Sequence, residues 1–497
     1  MGVVIAIDAG TTGIRSLIVD EHGAVSDVSY RELTQHFPRP GWVEHDAEEI
    51  WGHVQATLSE VAVRLNGRAP AAIGITNQRE TVVAWDRSTG APLHRAIVWQ
   101  DRRTSARCEE LRERGHLDAV RATTGLVLDP YFSATKMEWL LTEGGLSAIS
   151  PKRLALGTVD AWVLWKLTGG AAFATDVSNA SRTLLLDIGD CRWSAELGEV
   201  FGVPLGALPE VRPSSGRIGE VAGSVGLDHL AGTPISGVAG DQQAALFGQA
   251  CFDVGMAKAT YGTGSFVLTN VGSECPAPTD GLLTTLAWDL GDRGAGTVYA
   301  LEGSTFVSGA AIQWLRDELG IIERAEQMGP LAESVPDSGG VTVVPAFTGL
   351  GSPWWDPAAR GAILGLTRGA GRAQLARAVV ESIAYSVRAM VEATGQATVR
   401  PTVLRADGGA AAMDLLLQLQ ADQLRIPVAR PASIESTALG AAMLAGLAEG
   451  VWGSTEELSS LWRLDAEFTP GAGGELVEAP YAAWLRSVDR ARHWVPA

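Results

Sequence analysis

The sequence predicts an α/β protein of two related domains with a cleft between them, and three observations carry that expectation. At 497 residues the chain outgrows a single hydrophobic core. A Gly/Thr turn between two β-rich apolar runs occurs near the N-terminus and again about half a chain later. Helical periodicity punctuates both halves, as in "AEEIWGHVQATLSEVAVRL", where apolar residues recur at three- and four-residue spacing.

Taken in order, "VVIAIDAGTTGIRSLIVDEHG" reads as strand, Gly/Thr turn, strand and polar turn, the grammar of a β-hairpin. "GITNQRETVVAWD" sets Asn77, Gln78, Arg79 and Glu80 after an apolar strand, and "IVWQDRRT" sets Trp99 to Arg103 after another. Such strand ends are where α/β domains present ligand groups. "DPYFSATKMEWLL" adds Tyr131, with Lys136 and Trp139 on a helix face expected to serve packing. In "AGDQQAALFG" a carboxylate and two amides open a run of small apolar residues. Charge is rarely buried without a partner or a task, so Asp241 is either the N-cap of that helix or a working group. "MAKATYGTGSFVLTNVG", Met256 to Gly272, repeats the opening grammar, and "LRADGGAAAMDLLLQLQADQL" offers a strand, a Gly-Gly turn and a helix start. "PGAGG", Pro470 to Gly474, is expected to be a surface turn before a final helix. No Pro/Gly/Ser-rich or like-charged tract separates the halves, so the expected division, 1–250 and 251–497, rests on the repeat alone.

Composition narrows the partners. With 46% hydrophobic and 19% charged residues the chain is ordinary globular material. Its 39 basic against 57 acidic residues, net −18, argue against nucleic acid or an anionic membrane. Cys108, Cys191, Cys251 and Cys275 lie far apart with no CxxC pair, so free or buried thiols are expected rather than a zinc site. No stretch reaches the ~18 apolar residues of a membrane span, and "MGVVIAIDAG" has no basic leader, so a cytoplasmic protein is expected.

The two turns point to phosphate chemistry. "DAGTTG" supplies glycines, two hydroxyls and successive backbone N–H groups, the means of cradling a polyphosphate. Asp8 at the strand end is placed to hold a hydrated Mg²⁺, and Arg15 to neutralise charge. "YGTG", Tyr261 to Gly264, supplies the matching turn in the other half, and Gly408 and Gly409 a seat for an adenosine. Either turn alone reads equally well as a plain hairpin. No GxxxxGK[ST] occurs and no GxGxxG follows a strand, which excludes a P-loop NTPase and disfavours a dinucleotide oxidoreductase. The neighbouring Arg79 and Glu80 are able to hold each other while offering a donor fork and an acceptor to substrate hydroxyls; a surface ion pair is the plainer alternative. Trp99 and Phe266 suit either a core or the carbon skeleton of a small polyol.

"GWVEHD", "GITNQRET", "IVWQDRRT", "DPYFSATK", "GTVDAWVLWKLTGG", "TDVSNASRTLLLDI", "AGDQQAALFGQACF" and "PAFTGLGSPWWDPAARGAILGLTRG" together resemble the FGGY carbohydrate kinases, and among them the glycerol-phosphorylating group, over almost the whole chain. The resemblance implies an actin-like ATPase (ribonuclease H-like) fold in each half, ATP and Mg²⁺ in the interdomain cleft, and sn-glycerol 3-phosphate as product. It implies that Arg79, Glu80, Tyr131, Asp241 and Gln242 contact glycerol hydroxyls, with Trp99 and Phe266 against its carbons. Asp241 becomes the general base and, with Asp8, a metal ligand. Thr11, Thr12 and Arg15 face the phosphates, while Thr263, Gly309, Gln313, Gly409 and Met413 line the nucleotide side. It further implies a homo-oligomer, dimer or tetramer. Another FGGY polyol or pentulose kinase is the nearest alternative; an actin-like chaperone or filament protein would share the turns without needing Arg79, Glu80 and Trp99 around a polyol. Three departures stand out: Ala9 where many members carry Gln, Met413 where many place an adenine-contacting Asn, and "LDHLAGTPISG", which lacks the Gly-Gly-Arg loop that binds fructose 1,6-bisphosphate in some bacterial members.

Overall fold

The structure, a computed structural model, describes residues 2–294, 296–471 and 475–495. Residues 472–474 of the turn expected at Pro470–Gly474 lie outside the described residues; the helix expected after it runs over Glu475–Ala491.

Each half of the chain builds one large sheet. The first comprises β1 (Val4–Ala9), β2 (Gly13–Val19), β3 (Val25–Glu32), β4 (Ala72–Asn77), β5 (Ser215–Glu220) and β6 (Pro234–Gly240), in spatial order β5-β6-β4-β1-β2-β3. The second comprises β7 (Met256–Tyr261), β8 (Ser265–Gly272), β9 (Leu283–Asp289), β10 (Thr297–Thr305), β11 (Val403–Asp407), β12 (Val428–Pro431) and β13 (Leu464–Phe468), in order β9-β10-β8-β7-β11-β12-β13. In both, an antiparallel hairpin leads into parallel strands, β1-β4-β6 and β7-β11-β12, with an antiparallel strand at the far edge. The repeat read from the two Gly/Thr turns is therefore a repeat of topology.

Burial follows strand alternation. Ile5, Ile7 and Ala9 of β1 point into one core with Ile50, Val54, Leu58 and Val61 of α1 (Ala47–Arg64), while Val4 and Ala6 point into another. Asp46 caps α1 by accepting from the Glu48 and Glu49 backbone N–H groups.

The second of those cores joins the halves. It contains α2 (Asp241–Gly248), from the end of the first half, and α4 (Ser436–Ala448), from the end of the second; α3 (Gly309–Asp317) lies elsewhere, at a turn of the second sheet. Helix α4, "STALGAAMLAGLA", has no polar face, because one side lies on the first sheet and the other on α2. Helix α2 in turn packs Leu246 and Phe247 among Leu268, Ala287 and Trp288 of the second sheet. The two helices touch backbone to backbone: a Cβ on Gly440 would sit 1.8 Å from the Ala244 carbonyl oxygen, and one on Gly248 2.0 Å from that of Ser436. Only glycine permits this crossing.

The four cysteines are free, as expected. Among the described residues no helix is long and apolar enough to cross a membrane.

Candidate active site

Parallel pairing puts Ala9, Asn77 and Gly240 at one level, so the residues after β1, β4 and β6 emerge at the same edge of the first sheet. Asp8, the stretch Gln78–Arg79–Glu80 and Asp241 meet there. Asp241 is not the N-cap: Gly240, with extended backbone, fills that position and Asp241 is the first helical residue. Its Oδ1 accepts the Gln242 backbone N–H at 2.7 Å and lies 3.3 Å from Arg79 Nε. The side chain keeps 32% of its surface exposed, in contrast to its neighbours. The helix N–H groups favour the charged form of this carboxylate. Burial outweighs them and pushes its pKa up; Arg79 and Lys258 pull it down, and Asp8 adds to the rise. A carboxylate raised in this way is the better proton acceptor.

Arg79 is 2% exposed, and its two Nη groups meet four protein acceptor atoms. Nη1 donates to Glu302 Oε2 at 2.5 Å and Gln243 Oε1 at 3.2 Å; Nη2 donates to Glu302 Oε1 at 3.1 Å and the Tyr131 hydroxyl at 3.2 Å. Nε faces Asp241. Arg79 and Glu80 hold each other only as a long ion pair, Nε to Oε1 3.7 Å; the hydrogen bond to Glu80 comes from Arg182 Nε at 2.7 Å. Both side chains are buried. They are not a surface pair.

Tyr131 stands in a loop fixed from beneath. Lys136, itself buried, donates from Nζ to the carbonyls of Pro130, Tyr131 and Phe132 at 2.6, 2.7 and 3.0 Å, and burial lowers its pKa to about 8. Lys136 is thus a packing residue, as expected, but one that sets a site loop. Trp99 meets Tyr131 edge to face at 5.6 Å between centroids and donates its Nε1–H to Thr11 Oγ1 at 2.9 Å. Thr11 belongs to the first Gly/Thr turn. The residues expected around a polyol and those expected around phosphate therefore form one unbroken set of contacts.

The second sheet supplies the opposing wall. Lys258, Leu268 and Glu302 lie in one cross-strand row, and Phe266, half-buried, lies on the same face opposite Ser304. Lys258 donates to Gln242 Oε1 and, at 2.9 Å, to Thr260 Oγ1. Burial lowers its pKa to about 8.

On the phosphate side, Arg15 Nε lies 2.9 Å from Asp8 and its Nη1 2.8 Å from Glu435, just before α4. Thr12 is exposed on the same turn. The second Gly/Thr turn is tied to the start of α3: the Gly309 N–H donates to the Gly262 carbonyl at 2.9 Å and the Ala310 N–H to that of Thr263 at 3.1 Å. Thr263 and Gly309 are thereby adjacent, with exposed Gln313 one turn along α3. Gly409 follows β11 in a short 3-10 turn, and Met413 closes that turn against Gly329. Thr263, Gly309 and Gln313 thus sit at one turn on the second sheet's side, and Gly409 and Met413 at another.

Asp8 and Asp241 are the carboxylates available to a cation. Among the described residues no group of three or more His, Cys, Asp or Glu side chains is arranged to hold a metal. That donor set fits Mg²⁺, which takes one or two carboxylates and otherwise water and phosphate oxygens.

Comparison with known proteins decides the family. The model of the FGGY family of carbohydrate kinases matches residues 3–248 with its N-terminal domain and 257–449 with its C-terminal domain. The chain belongs to this family. It is 52% identical to the glycerol kinase of Dechloromonas aromatica, covering 99% of this chain and 98% of that one, and 52% identical to that of Aromatoleum aromaticum over the full length of both. The crystal structure of Plasmodium falciparum glycerol kinase with ADP superposes with a TM-score of 0.93 at 34% identity, covering 99% of this chain and 98% of that one. A ligand-bound xylulose kinase from Lactobacillus acidophilus, at 21% identity and a TM-score of 0.90, shares the fold.

For this FGGY kinase, sequence reasoning missed three site groups. Glu302 stood inside an apolar strand, "TVYALEGST", and a lone acid there was the signal. Arg182, in "NASRT", had no pattern to mark it. Lys258 stood within "MAKATYGTGSFVLTNVG" with no role assigned, and nothing local signalled its contact with Gln242.

Proposed function

We propose that this FGGY kinase transfers the γ-phosphoryl group of ATP to glycerol, giving sn-glycerol 3-phosphate, with Asp241 as general base. The observation that carries the reading is the continuous contact from Thr11 through Trp99, Tyr131 and Arg79 to Asp241, in a chain whose full-length relatives are named glycerol kinase. Such a transfer needs positioning, charge neutralisation and removal of one hydroxyl proton. In this reading Glu80, Tyr131, Gln242 and Arg79 hold the hydroxyls, and the carbons rest against Trp99 and Phe266. Since both Arg79 Nη groups are engaged, a hydroxyl reaches the guanidinium at Nε, beside Asp241, or by entering between Arg79 and Tyr131. Asp241 then accepts the proton as the oxygen–phosphorus bond forms. Thr11, Thr12 and Arg15 face the phosphates; Thr263, Gly309, Gln313, Gly409 and Met413 face the nucleoside. Asp8 and Asp241 would hold Mg²⁺, which when bound neutralises charge on the transferring phosphate.

The lobes are proposed as 1–250 and 251–497, and the working form as a cytoplasmic homo-oligomer; both the location and the assembly rest on resemblance and are checked by fractionation and light scattering. The test of function is ADP release across a panel of glycerol, pentuloses and other polyols. Preference for glycerol over xylulose and ribulose is expected; equal or greater turnover on a pentulose would overturn the assignment.

A further inference from the structure

Four charged side chains behind the proposed polyol site form an alternating chain of hydrogen bonds, closed by the long Arg79–Glu80 ion pair. Glu80 Oε1 accepts Arg182 Nε at 2.7 Å; Arg182 Nη2 donates to Glu302 Oε1 at 3.0 Å; Glu302 in turn takes both Nη groups of Arg79. Their side chains are 2% exposed or less, and the formal charges cancel. Desolvating four charges is expensive, and a well-packed apolar cluster would stabilise the fold at least as well. The arrangement therefore makes sense as a device for geometry.

Three details support that view. Glu302 comes from β10 of the second sheet, whereas Arg79, Glu80 and Arg182 come from the first half, so the clamp is assembled across both lobes. Glu80 is held at φ +63°, the left-handed region that a Glu adopts at a cost, with its carbonyl accepting from Ser133 Oγ at 3.0 Å. Arg182 fixes the side chain that emerges from this strained backbone. In addition, Arg182 Nη1 is buried with no hydrogen-bond partner among the described residues, so the hydrogen bonds that aim its fork are those to Glu80 and Glu302, with the Tyr131 and Phe132 rings against the guanidinium.

We propose that Glu302 and Arg182 are positioning residues that set Arg79 and Glu80 for a substrate with adjacent hydroxyls, so that the polyol grip exists only when the two lobes meet correctly. The inference rests on the polyol-kinase reading and deepens it. Neither residue needs to touch substrate; each acts through the group it orients.

The test compares wild type with Glu302→Gln, Arg182→Lys and the charge-balanced double variant Glu302→Gln/Arg182→Gln, which guards against a single variant failing to fold with an unpaired buried charge. Nucleotide-site integrity is read by ADP affinity, and the polyol site by glycerol KM and by calorimetric glycerol binding. Loss of one charged hydrogen bond corresponds to about a 10- to 100-fold weakening, expected in glycerol KM and Kd with ATP KM within about twofold of wild type. Glu302→Asp, which keeps the charge, is expected to recover part of the loss. Glycerol affinity unchanged in variants that bind ADP normally would overturn the inference, as would equal losses for glycerol and ATP, the mark of a merely structural role. A wild type that neither binds nor phosphorylates glycerol would instead overturn the functional reading beneath it.

Discussion

Replacing Gly440 by alanine tests whether the crossing of α2 and α4 positions the catalytic group. The new methyl carbon would lie 1.8 Å from the Ala244 carbonyl oxygen and 2.6 Å from its carbon. Restoring even 3.0 Å requires the helices to part by about 1.2 Å. Overpacking of this kind costs about 1–3 kcal/mol, only partly offset by the ~0.5–1 kcal/mol that alanine gains over glycine in a helix interior. The melting temperature is therefore expected to fall by a few degrees. Activity is expected to suffer more, because α2 carries Asp241 at its first residue and a displacement of about 1 Å costs on the order of 100-fold in rate. Gly52→Ala is the control: it lies within α1 and a Cβ there meets nothing within 4 Å, so stability is expected to rise slightly and turnover to stay unchanged. Thermal melts and ADP release with glycerol measure both. A Gly440→Ala protein with wild-type melting and turnover would refute the idea that this contact sets the site.

Further outcomes follow from other contacts. Trp99→Phe removes the hydrogen bond to Thr11 and is expected to lower kcat/KM for glycerol by about 2- to 10-fold in the same assay. Lys136→Met leaves three buried carbonyls without their donor; a loss of at least about 2 kcal/mol in denaturant unfolding and a raised glycerol KM are expected, and a stable variant with normal KM would contradict the role given to Lys136. Asp160 is buried between Thr158 and Thr175, and burial, then Asp176, raises its pKa from 3.8 to about 7. Since its folded pKa lies above the unfolded one, its contribution is fully present below the unfolded value and lost as pH rises toward the folded value. Asp160→Asn is accordingly expected to melt like wild type near about pH 4 and above it near about pH 8; the opposite trend would refute the assignment.

The fold was legible where local chemistry dictates structure. Two hairpins with Gly/Thr turns announced the repeated sheets, and the apolar spacing of Ile50, Val54, Leu58 and Val61 announced α1. The crossing of α4 onto the first sheet was not legible, because an all-apolar helix says that it is buried without saying between what. At the site, the groups after β1, β4 and β6 were readable because strand ends present ligands. Their true partners were not: Glu302 meets Arg79 from 223 residues away, and only the assembled lobes bring them together. Asp241 was misread as a possible cap by one position, since a Gly-Asp pair before a helix leaves open which of the two is the cap.

The most direct measurement is turnover of Asp241→Asn alongside its glycerol affinity. The amide keeps the shape of the carboxylate and loses its capacity to take a proton. Calorimetric glycerol binding within a few-fold of wild type, with kcat reduced on the order of 100-fold or more, is the expected result. Near-normal kcat in the Asn variant would contradict the assignment of Asp241 as the base.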